Sequence, residues 1–269
     1  MATVPGSSNK AKIAKRVIEV MDYFDDDHRE ATVMDIVRRY NRPQSSTSEL
    51  LSSLVELGLL YKDPYSRSYS LSPRAALLGS NGQTGSIRDG SLVRLMDRLA
   101  AQTGLSVALY GMVGLNTQIL SWRNGTRGST AKTRSLFGGM QEPLLDSAIG
   151  WLMLSTIAQP RCDGVVRRLI AEANDERKAP FHEVAGKLQL CRETGAGVGP
   201  AGYDSGAEVV SVLLPGQLGD HPMAIGLVFA ADSQLYAEAL ITCIREAINH
   251  CLLGVESQST VVEALQSAA

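Results

Sequence analysis

Two short amphipathic segments between Thr32 and Leu71 meet at Asn41-Arg42-Pro43 and run into an apolar hairpin, an order that few folds accommodate. From Pro43 to Leu57, the residues Thr47, Leu50, Leu51, Leu54 and Leu57 fall on one side of a helical wheel turning about 100° per residue. Ser45, Ser48, Glu49, Ser52 and Glu56 occupy the other side. Such a helix packs by its leucine stripe and leaves small polar side chains free to enter a groove. Upstream, Thr32 is placed to cap a helix reaching Tyr40, with Asp35 at the capping-box position and Val33, Ile36 and Val37 facing inward. Asn41 tolerates the left-handed conformation of a sharp turn, and Pro43 suits the first turn of the next helix. The pattern predicts a helix-turn-helix.

A third helix precedes the pair, its inner wall being Ile13, Val17, Val20, Met21 and Phe24, and stops at Asp25-Asp26-Asp27. Downstream, Gly58 to Lys62 and Ser68 to Leu71 pair as strands around Asp63-Pro64-Tyr65-Ser66-Arg67, the outline of a wing. A three-helix module used only for protein contacts is the bland alternative. Charge tilts slightly toward nucleic acid: residues 1–80 hold 11 Lys and Arg against 10 Asp and Glu, net +1, and residues 81–269 hold 15 against 18, net −3. Position carries more weight than the total. Lys10, Lys12, Lys15 and Arg16 open the first helix, Arg38, Arg39 and Arg42 surround the turn, and Lys62 and Arg67 border the wing with Tyr65 between them. These cations are assigned to phosphate contacts, which set affinity and register. Base reading falls to Gln44, which matches the two groups adenine shows in the major groove, and to the hydroxyls of Ser45, Ser46 and Ser48.

The runs Arg16-Val17-Ile18-Glu19-Val20-Met21, Asp35-Ile36-Val37-Arg38, Pro43-Gln44-Ser45-Ser46 and Leu50 to Leu60 resemble, in order and spacing, the amino-terminal domain of IclR-type (isocitrate lyase regulator) transcription factors. Gly138-Gly139-Met140-Gln141-Glu142-Pro143-Leu144, followed by Ser147 and Gly150, extends the likeness. The resemblance implies an α+β chain with an N-terminal winged helix-turn-helix domain, a linker helix and a C-terminal GAF-like α/β effector-binding domain. It also implies a homodimer or tetramer on double-stranded DNA at a palindromic operator, and a small-molecule effector. Two positions depart from the family. Arg42 replaces a usually apolar residue and reads as a local phosphate anchor. Glu49 stands where many members have a basic residue. A carboxylate there repels phosphates unless it accepts a bond from cytosine or closes a Ser46-x-x-Glu49 capping box, and the box is the expected outcome.

Domain bounds are expected at 10–80 for the winged domain, 81–104 for the linker and linker helix, 105–255 for the GAF-like domain and 256–269 for a tail. The linker helix from Ser91 to Thr103 has the stripe Leu92, Leu95, Met96 and Leu99, which fits either dimerisation or packing within a domain. Strands are expected at Leu105 to Met112, Thr117 to Trp122, Glu208 to Leu214 and Met223 to Ala230. Helices are expected at Pro143 to Ile157, Cys162 to Ala173, Pro180 to Thr194 and Asp232 to Leu253, the last capped by Asp232. The family's effector pocket maps onto Met140, Leu144, Trp151, Val209, Ser211, Leu227 and Phe229. An apolar lining of this kind favours an aromatic or apolar acid held by few polar groups, while the same residues could equally fill a core.

Other classes find little support. Gly197-Val198-Gly199-Pro200-Ala201-Gly202 has the letters of a dinucleotide fingerprint, but a helix precedes it and a strand follows, so it reads as a glycine loop. His28, His182, His221 and His250 join no serine or cysteine in a nucleophile motif, and no enzyme activity or cofactor is expected. Cys162, Cys191, Cys243 and Cys251 have neither disulfide nor zinc spacing. No apolar run reaches the ~18 residues of a membrane span, so a cytoplasmic protein is expected. The rival to a ligand-responsive regulator is a ligand-binding or protein-interaction module whose winged domain has lost specific DNA binding.

Overall fold

Helix α1 (Asn9–Tyr23) lays Val17, Val20 and Met21 over a small core, and α2 (Val33–Tyr40) adds Ile36. The computed structural model describes residues 9–25, 27–78, 87, 89–127, 133, 135–173, 179–215, 222–233 and 235–254. At the start of α2, Asp35 Oδ2 accepts the Thr32 N–H at 2.8 Å and the Thr32 hydroxyl at 2.7 Å, so the expected cap forms. Asn41 ends the helix at φ 49°, in the left-handed region. Helix α3 (Gln44–Glu56) follows with Pro43 at its N-cap, one position earlier than expected, and buries Thr47, Leu51 and Leu54. Leu57 and Ile13, both expected inside, are exposed. Strands β1 (Leu60–Lys62) and β2 (Tyr69–Leu71) pair antiparallel with Leu60 opposite Leu71, and Tyr69 also exchanges both backbone bonds with Ala31. Helix α4 (Pro73–Leu77) starts at Ser72, whose hydroxyl donates to Gly58 O at 2.5 Å and tethers the wing to the end of α3.

Chain contacts divide the protein between Gln83 and Thr84. The second unit is built on one antiparallel sheet of order β5-β4-β3-β8-β7-β6, formed by β3 (Ser106–Val113), β4 (Asn116–Arg123), β5 (Gln141–Pro143), β6 (Ala196–Pro200), β7 (Ala207–Leu213) and β8 (Met223–Ala230). Side chains alternate across this sheet, so its central strands β3, β7 and β8 each feed two cores. One core lies under α5 (Ser91–Thr103) and α9 (Ala237–Leu252) and contains Leu95, Leu99, Val107, Val210, Ile225 and Ile244. The opposite core lies under α6 (Ala148–Ser155), α7 (Arg161–Glu172) and α8 (Phe181–Thr194) and contains Tyr110, Leu144, Leu152, Val209 and Val228. The stripe of α5 is thus buried within this unit, which decides between its two readings in favour of packing.

Three expectations need correction. Residues 196–200 are the edge strand β6, where a loop was expected. Its glycines admit a helix: a Cβ at Gly197 would lie 2.7 Å from Ala148 O and 3.2 Å from Leu152 Cβ, so α6 can settle on the sheet only over glycine. The last helix begins at Ala237 with Tyr236 at its N-cap, leaving Asp232 in the preceding turn. Helix α6 begins at Ala148, because Ser147 accepts Gly150 N–H and stops the helix from extending back to Pro143. Linker residues 81–86 and tail residues 256–269 lie outside the described residues, as does His221.

Candidate DNA interface and effector-domain interior

The recognition surface begins at the amino end of α3, where Gln44, Ser45 and Glu49 are exposed and Ser46 and Ser48 half-buried. Those side chains stay outward because Thr47, Leu51 and Leu54 take the inward positions of the same turns. Thr47 is buried at no polar penalty, since its hydroxyl donates to Pro43 O at 2.9 Å. The expected Ser46-x-x-Glu49 capping box is absent. Pro43 has no side-chain acceptor, α3 already starts at Gln44, and the Ser46 hydroxyl donates back to Pro43 O at 3.3 Å. Glu49 therefore projects a carboxylate from the reading face.

Exposed Lys62, Tyr65 and Arg67 cluster at the wing. The Asp63 carboxylate accepts Tyr65 N–H at 2.7 Å and Ser66 N–H at 3.3 Å, which curls the tip and holds its carboxyl below the usual carboxylate range. Arg67 turns the chain at φ 57°, and Tyr65 is left 95% exposed at the apex. Arg38 and Arg39 are exposed in the last turn of α2. Two of the expected phosphate contacts are engaged inside the domain. Arg16 Nη2 donates to Ser46 O at 2.9 Å and to Ser46 Oγ at 3.2 Å, pinning α1 to the start of α3. Arg42 Nη2 donates to both oxygens of Glu19, at 3.0 and 3.1 Å. Arg42, expected as a local phosphate anchor, is thus held by a carboxylate inside the domain.

The seven residues expected to wall an effector pocket do not meet. Leu227 and Phe229 point into the α5/α9 core, whereas Leu144 and Val209 belong to the opposite core, with Met140 and Trp151 packed at its margin. Alternation along β8 explains the split, because Ala224 and Val228 take the side that faces Val209. Ser211 lies with Val209 on that side and donates to Gly197 O at 3.1 Å. A Cβ at Gly226 would touch Val209 Cγ2 at 2.8 Å and Tyr110 Cε2 at 3.1 Å, so the Tyr110 ring lies down on the middle of the sheet. Trp151 donates from Nε1 to Leu145 O at 2.9 Å, and Lys187 Nζ sits 3.9 Å above its ring. Beside these residues, a cleft of about 330 Å³ opens between Leu115, Asn116, Pro143, Leu145, Leu169 and Glu172.

A polar cluster in the same core escaped the sequence reading. Glu142 is 8% exposed, its Oε2 accepts Tyr203 N–H at 2.5 Å, and burial pushes its carboxyl up to about 7. Among the described residues, Glu142 Oε1 and the fully buried Tyr110 hydroxyl have no hydrogen-bond partner, and the Tyr203 hydroxyl donates to Thr117 Oγ1 at 3.4 Å. The signal available in the sequence was an acid at the alternate, inward position of β5 between exposed Gln141 and Pro143.

Residues 14–64 match the IclR helix-turn-helix domain model. No curated protein matches the chain. Among solved structures, the chain is similar to an IclR transcriptional regulator from Alicyclobacillus acidocaldarius, with TM-score 0.58 and 19% identity over 92% of this chain and 99% of that one. An IclR homologue from Microbacterium hydrocarbonoxydans, solved in complex with 4-hydroxybenzoate, aligns with TM-score 0.56 and 16% identity over 96% and 100% of the two chains. The IclR of Thermotoga maritima aligns with TM-score 0.54 and 16% identity over 94% and 98%. The protein carries an IclR helix-turn-helix domain over residues 14–64 and has the fold of IclR regulators over nearly all of its length.

Proposed function

We propose that this protein is a sequence-specific transcription regulator that binds an approximately palindromic operator as a homodimer or tetramer and answers to a small-molecule effector. The observation that carries the reading is the exposed Gln44-Ser45 pair opening a helix whose stripe is buried, flanked by exposed Arg38, Arg39, Lys62 and Arg67. Gln44 pairs with adenine, Ser45 and Ser48 contact bases or phosphates, and the arginines and Lys62 supply the salt-dependent affinity. Tyr65, at the wing apex, lies against the sugar-phosphate backbone. The effector is an aromatic or apolar acid, a reading that the apolar side chains and the 4-hydroxybenzoate bound to a structural relative support, and the regulated genes form a catabolic operon. Met140, Leu144, Trp151, Val209 and Ser211 remain its proposed walls. Effector binding acts only through its differential affinity for two arrangements of the paired winged domains.

The test is a gel shift, over a range of salt concentrations, with DNA flanking the protein's own gene. A specific band that is lost on changing Gln44 and Ser45 to Ala supports the reading. Absence of that band favours the second reading, a ligand-binding module without specific DNA affinity, for which exposed Glu49 and neutralised Arg42 are the motivating observations.

A further inference from the structure

Glu19, on the inner half of α1, is 23 residues from the arginine it binds. Its side chain is 17% exposed and that of Arg42 is 37% exposed. Lys15 Nζ also approaches Glu19 Oε1 at 3.9 Å, one turn earlier on α1. Arg42 immediately precedes the N-cap of α3. In a helix-turn-helix docked by its second helix, a residue at this point stands at the groove wall beside phosphates. An uncompensated guanidinium there would add to sequence-independent affinity, since each phosphate neutralised strengthens binding to any duplex.

We infer that Glu19 is a specificity-determining residue: by holding Arg42 in an internal pair, it withholds one cation from the DNA backbone and lowers non-specific binding. This rests on the reading of the winged domain as a DNA binder. One guanidinium nitrogen, Arg42 Nη2, donates to both carboxylate oxygens and Glu19 is largely buried, so giving Arg42 to a phosphate would strand a carboxylate next to DNA, an unfavourable exchange. The pair therefore persists on DNA. Phosphate contact falls to exposed Arg38, Arg39, Lys62 and Arg67, and Gln44 and Ser45 contribute a larger share of the total affinity. Arg16 completes the arrangement, because its bonds to Ser46 and the Arg42–Glu19 pair join α1 to both sides of the Pro43 cap.

The experiment measures the full chain binding to a random-sequence duplex and to DNA flanking its own gene, by fluorescence anisotropy across ionic strengths. The variants are Glu19→Gln, Arg42→Gln and the double change. Glu19→Gln keeps an oxygen to hold the guanidinium in place while removing the charge that neutralises it. On the random duplex, its slope of log K against log salt steepens by about 0.9 for each bound winged domain, and the ratio of specific to non-specific affinity falls. Arg42→Gln alone, which leaves the Glu19 charge uncompensated, does not steepen the slope, and the double change, which removes both charges, has the wild-type slope. A structural role alone would weaken binding without steepening it. An unchanged slope in Glu19→Gln, or a steepening that persists in the double variant, overturns the inference. If Glu19→Gln fails to fold, the double variant decides, because it removes the pair without changing net charge: a slope shallower than wild type by about 0.9 would mean Arg42 already contacts phosphate. Wild-type protein that forms no salt-sensitive complex with either DNA overturns the functional reading and, with it, the inference.

Discussion

Replacing Glu142 with Gln isolates the energetic consequence of burying a carboxylate in the C-terminal α/β domain. The carboxyl is raised from 4.5 to about 7, chiefly by desolvation, with the charges of Asp146 and Asp204 adding to the rise and hydrogen bonds from Tyr203 and Ser147 opposing it. A folded-state value above the unfolded one means the native protein retains a proton that the unfolded chain releases. Stability is therefore fully present below about pH 4.5 and declines as pH rises to about 7. At about 1.4 kcal/mol per unit, the loss amounts to roughly 3 kcal/mol above pH 7. Glu142 is 8% exposed, so solvent screening reduces this little. Glutamine keeps an oxygen for the Tyr203 N–H and carries no charge at any pH. Glu142→Gln should match the wild type near pH 4 and exceed its stability by roughly 3 kcal/mol at pH 8. Urea denaturation followed by tryptophan fluorescence is a clean assay, because the two tryptophans, Trp122 and Trp151, lie in β4 and α6 and report the C-terminal domain alone. A stability difference between variant and wild type that stays flat from pH 5 to 8 would refute the assignment of a buried, proton-retaining carboxyl.

Leu51 is fully buried between the three helices and the wing, so Leu51→Ala should destabilise the winged domain by about 2–5 kcal/mol, read from urea unfolding by circular dichroism. At Gly150 a Cβ would lie 1.9 Å from Leu144 O, a clash with backbone, so Gly150→Ala should sharply lower the effector domain's unfolding midpoint. Gly164, in the first turn of α7, has open space around its missing Cβ, and Gly164→Ala should stabilise the same domain by about 0.5–1 kcal/mol. In a thermal-shift screen of aromatic acids, a stabilising ligand should lose its effect in Trp151→Ala and keep it in Phe229→Ala, which faces the other core. Equal loss in both variants would contradict that assignment.

Features written in neighbouring residues were legible before any coordinates. The cap at Thr32 and Asp35, the left-handed Asn41, the stripe of α3 and the turn from Asp63 to Arg67 each depend on groups a few residues apart, and periodicity or local hydrogen bonding specifies them. The same holds for the helix from Ser91 to Thr103 and for the four long strands. What sequence did not show was which residues far apart along the chain become partners. Leu227 and Phe229 looked equivalent to Val209 as apolar strand residues, and only the pairing of β7 with β8 decides which face of the sheet each one joins. Gly197 looked like a loop glycine because the helix that needs its missing side chain, α6, arises some fifty residues earlier. Arg42 read as a free cation, and Glu142 as unremarkable, because Glu19 and Tyr203 are distant in sequence. The sequence alone thus determined the local elements and their order, which short-range sterics and hydrogen bonds set. Tertiary structure decided which charges are already spoken for and which core each strand residue enters, because burial and Coulomb energy depend on distance in space and not along the chain.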